Sequence, residues 1–133
     1  MFKRIDHVEV VTDEPESTIQ FYTEILSFKI RSRQRIERSA LGVPLSLVYL
    51  ELGGTTVELI TYEGAALAPA PTGDHLGYNL IALEVEDMNE AVTFLKSKGV
   101  EIVWGPLVRE GLYARAEITD PNGYHIELRQ WFQ

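Results

Sequence analysis

The chain has 133 residues, of which 45% are hydrophobic, 24% charged and 10% aromatic; this is the size and balance of one globular domain and excludes a disordered or collagen-like chain. With 12 basic and 20 acidic residues the net charge is −8, which disfavours binding to a phosphate backbone, so no nucleic-acid partner is expected. Cysteine is absent, which removes disulfides, thiolate metal sites and cysteine nucleophiles, and no leader or long apolar run points to export or to a membrane, so a cytoplasmic location is expected.

In chain order, Ile5 to Val11 is rich in Val and Ile and reads as a strand. Asp13 is a candidate cap and Pro15 suits a first helical turn, after which Ile19, Tyr22, Ile25 and Leu26 recur at helical spacing. Three extended stretches follow, Phe28 to Ile36, Leu45 to Leu52 and Thr55 to Tyr62, with Gly53-Gly54 as the turn between the last two. Residues 63–77 are rich in Ala, Pro and Gly and read as a connector. Tyr78 to Val85 is then a strand, and Asp87 with Glu90 has the spacing of a capping box for a helix whose apolar stripe is Met88, Ala91, Val92 and Leu95. Gly99 ends that helix, and Val100 to Trp104, Leu112 to Ile118 and Tyr124 to Trp131 are the remaining predicted strands, the last two turned by Asp120-Pro121-Asn122-Gly123.

The second half repeats the first. A shift of 73 residues lays His7 on Leu80, Glu14 on Asp87, Ile19 on Val92 and Phe21 on Phe94, and a shift of 69 lays Val57-Glu58-Leu59 on Ile126-Glu127-Leu128. The expectation is α+β: two βαβββ modules, residues 4–62 and 78–133, paired into an open barrel around a cavity within one domain.

Strand alternation then sorts the side chains. His7, Glu9 and Val11 share one face of the first strand, as do Thr56, Glu58 and Ile60 of the fourth. The second module offers Leu80, Ala82 and Glu84, then His125, Glu127 and Arg129. Glu58 and Glu127 each stand between two aliphatic residues in a strand centre, where a charge costs several kcal/mol unless it is compensated. A divalent cation, an arginine partner or a catalytic role could supply that compensation, and His7 offers a nitrogen ligand. Lys29, Arg31, Arg33 and Arg35 alternate along the second strand and would put four cations on one face, either as a solvated edge or as a dock for an anion. Phosphate loops, dinucleotide-binding glycine motifs and nucleophile elbows are absent.

Ile5-Asp6-His7-Val8, Phe21-Tyr22-Thr23-Glu24-Ile25-Leu26, Val57-Glu58-Leu59, Ile81-Ala82-Leu83-Glu84-Val85-Glu86-Asp87 and Asp120-Pro121-Asn122-Gly123-Tyr124-His125-Ile126-Glu127-Leu128 together resemble, in order and spacing, the vicinal-oxygen-chelate superfamily of glyoxalases, bleomycin-resistance proteins and extradiol dioxygenases. The resemblance implies a usually dimeric protein, here a homodimer, with a metal held by one side chain from each of four strands. Carried over, the ligand positions are His7, Glu58, Leu80 and Glu127. Leucine cannot ligate, which leaves one nitrogen and two carboxylates for Zn, Ni, Co, Mn or Fe. Under this first reading the protein is a glyoxalase-type lyase or isomerase in which the metal stabilises an enolate-like intermediate of a small-molecule substrate, Glu127 or Glu58 moves the proton, and Glu9, Glu84, Glu117, His125 and Arg115 contact the substrate. The alternative, supported by Leu80, is a metal-free binding protein of the bleomycin-resistance type that sequesters a cationic or aromatic compound among acidic side chains. Tyr49, Tyr62, Tyr113, Trp104 and Trp131 could stack on a flat ligand.

Overall fold

The computed structural model of the chain describes residues 1–132; Gln133, the last residue assigned to the second module, lies outside them. The chain divides into two compact units, Met1–Pro69 and a second that begins at Ala70, so the boundary falls inside the predicted connector. Each unit is a βαβββ module built on a four-stranded mixed sheet, and the α+β class is the one expected.

In the first unit the elements are β1 (Val8–Val11), α1 (Pro15–Gln20), a π-helical turn (Phe21–Ile25), β2 (Lys29–Ile36), β3 (Leu45–Leu52) and β4 (Thr55–Tyr62). The sheet order is β1-β4-β3-β2, with β1 parallel to β4 and the other pairs antiparallel. β3 and β4 have the predicted bounds, whereas β1 starts three residues later than expected. Asp13 does not cap the helix. The cap residue is Glu14, which makes no side-chain cap bond; the Glu14 amide instead donates to Thr12 Oγ1 at 2.9 Å, and the Thr18 hydroxyl closes the turn on the Glu14 carbonyl at 2.7 Å. One side of the sheet is the core: Leu50, Val57 and Leu59 are buried, as are Ile19, Tyr22, Leu26 and Phe28 of the helical segment and its exit. Tyr22 packs edge-on against Phe28 with ring centroids 5.4 Å apart.

The alternating cations of β2 do not share a face. A register irregularity between Ile30 and Ser32 leaves Arg31 as an extra residue, so Arg33 and Arg35 lie opposite Val48 and Ser46, while Lys29 lies opposite Glu51. Arg31 sits over the Tyr49 ring at 5.3 Å, and Arg35 is tied to Glu37 and Glu63.

In the second unit the elements are β5 (Ile81–Glu84), α2 (Met88–Ser97), β6 (Trp104–Arg109), β7 (Tyr113–Thr119) and β8 (His125–Trp131), with sheet order β5-β8-β7-β6. The repeat seen in the sequence is thus a repeat of topology. Asp87 caps α2 as expected, its side chain accepting from the Glu90 amide at 2.9 Å, and Gly99 ends the helix at a positive φ. Ala114, Ala116, Ile118, Ile126 and Leu128 are buried on the face of the sheet covered by α2, together with Met88 and Leu95 of that helix. The sixth strand is displaced from its predicted place at Val100 to Trp104: it begins at Trp104 and runs through Gly105 and Pro106, two residues that ordinarily weaken a strand.

Candidate functional site

The face of each sheet away from its helix carries the side chains that the alternation predicts, and each unit holds part of the expected ligand set. In the first unit Glu9, Glu58, Tyr49 and Ser32 form one cross-strand row. His7, just before β1, places Nε2 3.7 Å from Glu58 Oε2, and its Nδ1–H donates to the Asp6 carboxylate at 2.9 Å. The hydrogen bond to Asp6 is the largest influence on His7 and, with the nearby charges of Glu58 and Glu9, holds the imidazole pKa above its ordinary value; Asp6 is held below the usual carboxylate range by the same bond. The Tyr49 hydroxyl hydrogen-bonds Glu58, which together with burial raises the phenol. Glu58 is therefore compensated by a tyrosine hydroxyl and an imidazole. Below this row Leu45, Leu47 and Ile60 form a buried cluster with Val11, Tyr49 and Tyr62 packed on it.

In the second unit the register sets out a small lattice. Trp104, Glu117, Glu127 and Ala82 form one row, and Leu107, Arg115, Arg129 and Glu84 the next. Arg109, Tyr113 and Trp131 form the third. Glu117 and Glu127 are thus directly opposite each other, an arrangement that repels unless a cation intervenes. Arg115 intervenes: its Nη2 donates to Glu117 Oε2 at 2.9 Å and its Nε stands 3.0 Å from Glu127 Oε1. The second contact is an ion pair by distance without the alignment of a hydrogen bond, which leaves Nε buried and unbonded. Arg129 completes the enclosure with Nη2 2.8 Å from Glu127 Oε2. His125 Nδ1 lies 3.2 Å from Glu117 Oε1.

Both guanidiniums are flanked by rings. Arg115 sits over Trp104 at 4.5 Å, and Arg129 is 4.1 Å from Tyr113 and 4.9 Å from Trp131, which themselves meet edge-on at 5.7 Å. Trp104 and Trp131, the only two tryptophans of the chain, are 42% and 51% exposed. Glu127, by contrast, has a side chain only 9% exposed.

These contacts test whether the second unit suits a divalent ion. Leu80 supplies no ligand atom, and each oxygen of Glu127 faces a guanidinium rather than an open coordination position. Within each unit, among the described residues, no three His, Asp or Glu side chains form a ligating cluster. The residues of the second unit do not fit a metal centre. Glu117 and Glu127 are not uncompensated acids, since Arg115 and Arg129 neutralise them. Of the compensations open to Glu127 from its sequence setting, the structure shows the arginine partner.

The alternation thus brought together His7, Glu58 and Glu9 in one unit and Arg115, Glu117, His125 and Glu127 in the other. Glu84 is exposed and opposite Arg129 in register. The role of Arg129 was missed, although its signal is present: Tyr113-Arg115-Glu117 and Glu127-Arg129-Trp131 alternate at period two on adjacent antiparallel strands.

The profile of the Glyoxalase/Bleomycin resistance protein/Dioxygenase superfamily matches residues 4–128. The virulence protein STM3117 of Salmonella typhimurium is 27% identical over 96% of this chain and 84% of its own length. A lactoylglutathione lyase of Arabidopsis thaliana is 26% identical over 96% of the chain, which spans only 44% of that enzyme. Among solved structures, a glyoxalase family protein from Bacillus cereus superposes with a TM-score of 0.85 over 100% of this chain and 97% of its own at 24% identity, a likeness of fold. With a profile match over nearly its whole length, the chain belongs to the Glyoxalase/Bleomycin resistance protein/Dioxygenase superfamily.

Proposed function

We propose that the protein is a small-molecule-binding member of its superfamily that works without a resident metal and holds a planar aromatic compound on the face of its second sheet away from α2. The observation that carries this reading is the enclosure of Glu127 by Arg115 and Arg129, with Trp104, Tyr113 and Trp131 against the guanidiniums. A carboxylate with a guanidinium at each oxygen is already neutralised, and the two cations repel an approaching dication; two neutralised acids likewise give a cationic ligand little to bind. The exposed faces of two indoles offer stacking to an aromatic one, worth about 0.5–1.5 kcal/mol per ring pair beyond area burial.

The test has two parts. Protein equilibrated with Zn, Ni, Co, Mn and Fe and then desalted should retain well under one ion per chain by elemental analysis. Tryptophan fluorescence, excited where tyrosine does not absorb and so reporting only Trp104 and Trp131, should be quenched saturably by anthraquinone-2-sulfonate or acridine orange. Loss of that quenching in Trp131→Leu would support the assignment, and absence of quenching by either dye in the unaltered protein would sink it.

A metal-dependent lyase or isomerase using His7, Glu58 and Glu127 is the second reading. It is supported by the 3.7 Å approach of His7 to Glu58 and by the similarity to a lactoylglutathione lyase, glyoxalases being generally users of divalent metals. It requires about one ion per chain, lost in Glu127→Gln.

A further inference from the structure

We infer that His75 is a proton-dependent clasp: protonated on both ring nitrogens, it ties the backbone of residues 73–78 into a closed turn, and loss of one proton opens that turn in the segment leading into β5. The clasp goes beyond the ligand-binding reading above and does not rest on it.

The turn has no backbone ladder of its own. Residues 73–80 contain neither helix nor strand, and the chain reverses there through Gly73 and Gly77, both at positive φ, +69 and +106. Side chains close it instead. Asn79 Oδ1 accepts from the His75 amide at 3.2 Å, and Asn79 Nδ2 donates to the carbonyls of His75 and Gly77 at 2.9 Å each. The half-buried His75 ring then spans the turn, with Nδ1 3.0 Å from the Gly73 carbonyl oxygen and Nε2 2.7 Å from that of Tyr78. Carbonyl oxygens only accept, so both ring nitrogens must donate, and only the imidazolium does so. A neutral imidazole, in either tautomer, sets a nitrogen lone pair against one of the two carbonyl oxygens and loses that bond.

The backbone, not a carboxylate, is what holds this proton. The other two histidines stand beside Asp6, Glu58 and Glu117, whereas no acidic side chain pairs with His75 among the described residues. The other titratable groups of the turn, Asp74 and Tyr78, are both exposed. Histidine changes charge between about pH 5 and 8, so the turn is closed in mildly acidic solution and loosened in mildly alkaline solution. Leu76 and Tyr78, both fully exposed on it, are held in one arrangement in the first case and freed in the second.

The test is NMR on the whole chain, titrated from about pH 5 to about pH 8.5. The carbonyl-carbon shifts of Gly73 and Tyr78 should trace the same curve as the His75 ring nitrogens, and the backbone heteronuclear NOE of residues 74–78 should be lost along it. Carbonyl shifts that stay flat while the ring titrates, or residues 74–78 equally ordered at both ends, overturn the inference. His75→Phe removes both donors and should leave residues 74–78 mobile throughout with no step; a step that survives there belongs to another group and equally overturns it. Asp74→Asn should keep the step, and its loss would assign the effect to that carboxylate instead. Should His75→Phe fail to fold, the carbonyl titration of the unaltered protein decides alone.

Discussion

Arg129 Nη2 stands 2.8 Å from Glu127 Oε2, two residues further along the same strand face, so β8 partly neutralises its own buried charge. An i, i+2 pair on a strand shares a face by construction, and here both members have little exposure, 21% and 9%. Such a pair differs from an exposed ion pair in its energetics. Its net worth against a hydrophobic replacement is small, but removing one partner strands a desolvated charge at a cost of about 3–5 kcal/mol.

The first expected outcome follows directly. Glu127→Gln leaves two guanidiniums without their shared partner and should destabilise the fold by about 2–4 kcal/mol, and Arg129→Met by about 1–3 kcal/mol, since Arg115 still faces Glu127. The double variant should cost less than the sum by more than 1 kcal/mol. Urea unfolding of the four proteins measures this, and strict additivity would show the pair to be uncoupled.

Much of this face could be read before the structure. The period-two alternation of β4 and β8 put Glu58 and Glu127 on the faces opposite Val57 and Leu59, and Ile126 and Leu128, all four of which are buried. The Leu80 substitution was equally visible. What alternation does not report is the register between strands, and register is what sets Glu117 against Glu127 and Arg115 against Arg129. The strand at Trp104 was misplaced because Gly105 and Pro106 carry the usual signs of a break. The π-helical turn was also missed: it depends on a backbone bond such as Leu26 N–H to the Phe21 carbonyl at 3.2 Å, which no residue type announces.

In the first unit the expected readout is titration. His7 gains a partner in Asp6 and its folded-state pKa is raised, so its contribution to stability is complete below its ordinary value of 6.5 and is lost as pH rises through the higher folded value. Asp6 is lowered, so its contribution is present above 3.8 and is lost as pH falls through the lower folded value. The pair is therefore intact from mildly acidic to near-neutral pH. NMR titration of the imidazole in chelator-treated protein should give a midpoint above 6.5, and Asp6→Asn should move it downward, because the bond to Asp6 is the largest cause. An unchanged midpoint in Asp6→Asn would assign the shift to Glu58 and Glu9 instead.

Tyr49 gives a second titration on the same row. Its hydroxyl bonds Glu58, and that bond is the first cause of its raised pKa. Glu58→Gln should bring the phenol's ultraviolet titration to a lower pH than in the unaltered protein. A phenol midpoint insensitive to Glu58→Gln would leave burial as its dominant cause.

The last expected outcome concerns how Trp104 comes to lie under Arg115. Gly105 follows it at φ +78, a backbone conformation that side-chain-bearing residues rarely adopt, and a Cβ there would stand 2.8 Å from the Arg115 carbonyl oxygen and 3.2 Å from the Ala116 Cα. Both obstacles are backbone atoms of the neighbouring strand, so neither can swing aside. The register between β6 and β7 shifts at this point, Trp104 pairing with Glu117 and the next pair being Leu107 with Arg115. Gly105→Ala should therefore cost about 2–4 kcal/mol, combining left-handed strain with forced separation of β6 from β7. Because the separation falls between Trp104 and Arg115, it should also shift the Trp104 emission toward that of a solvated indole, read in a Trp131→Phe background where Trp104 is the only remaining tryptophan. Unfolding midpoints and emission maxima matching those of the Gly105 protein would show that the indole is held by its contact with Arg115 alone.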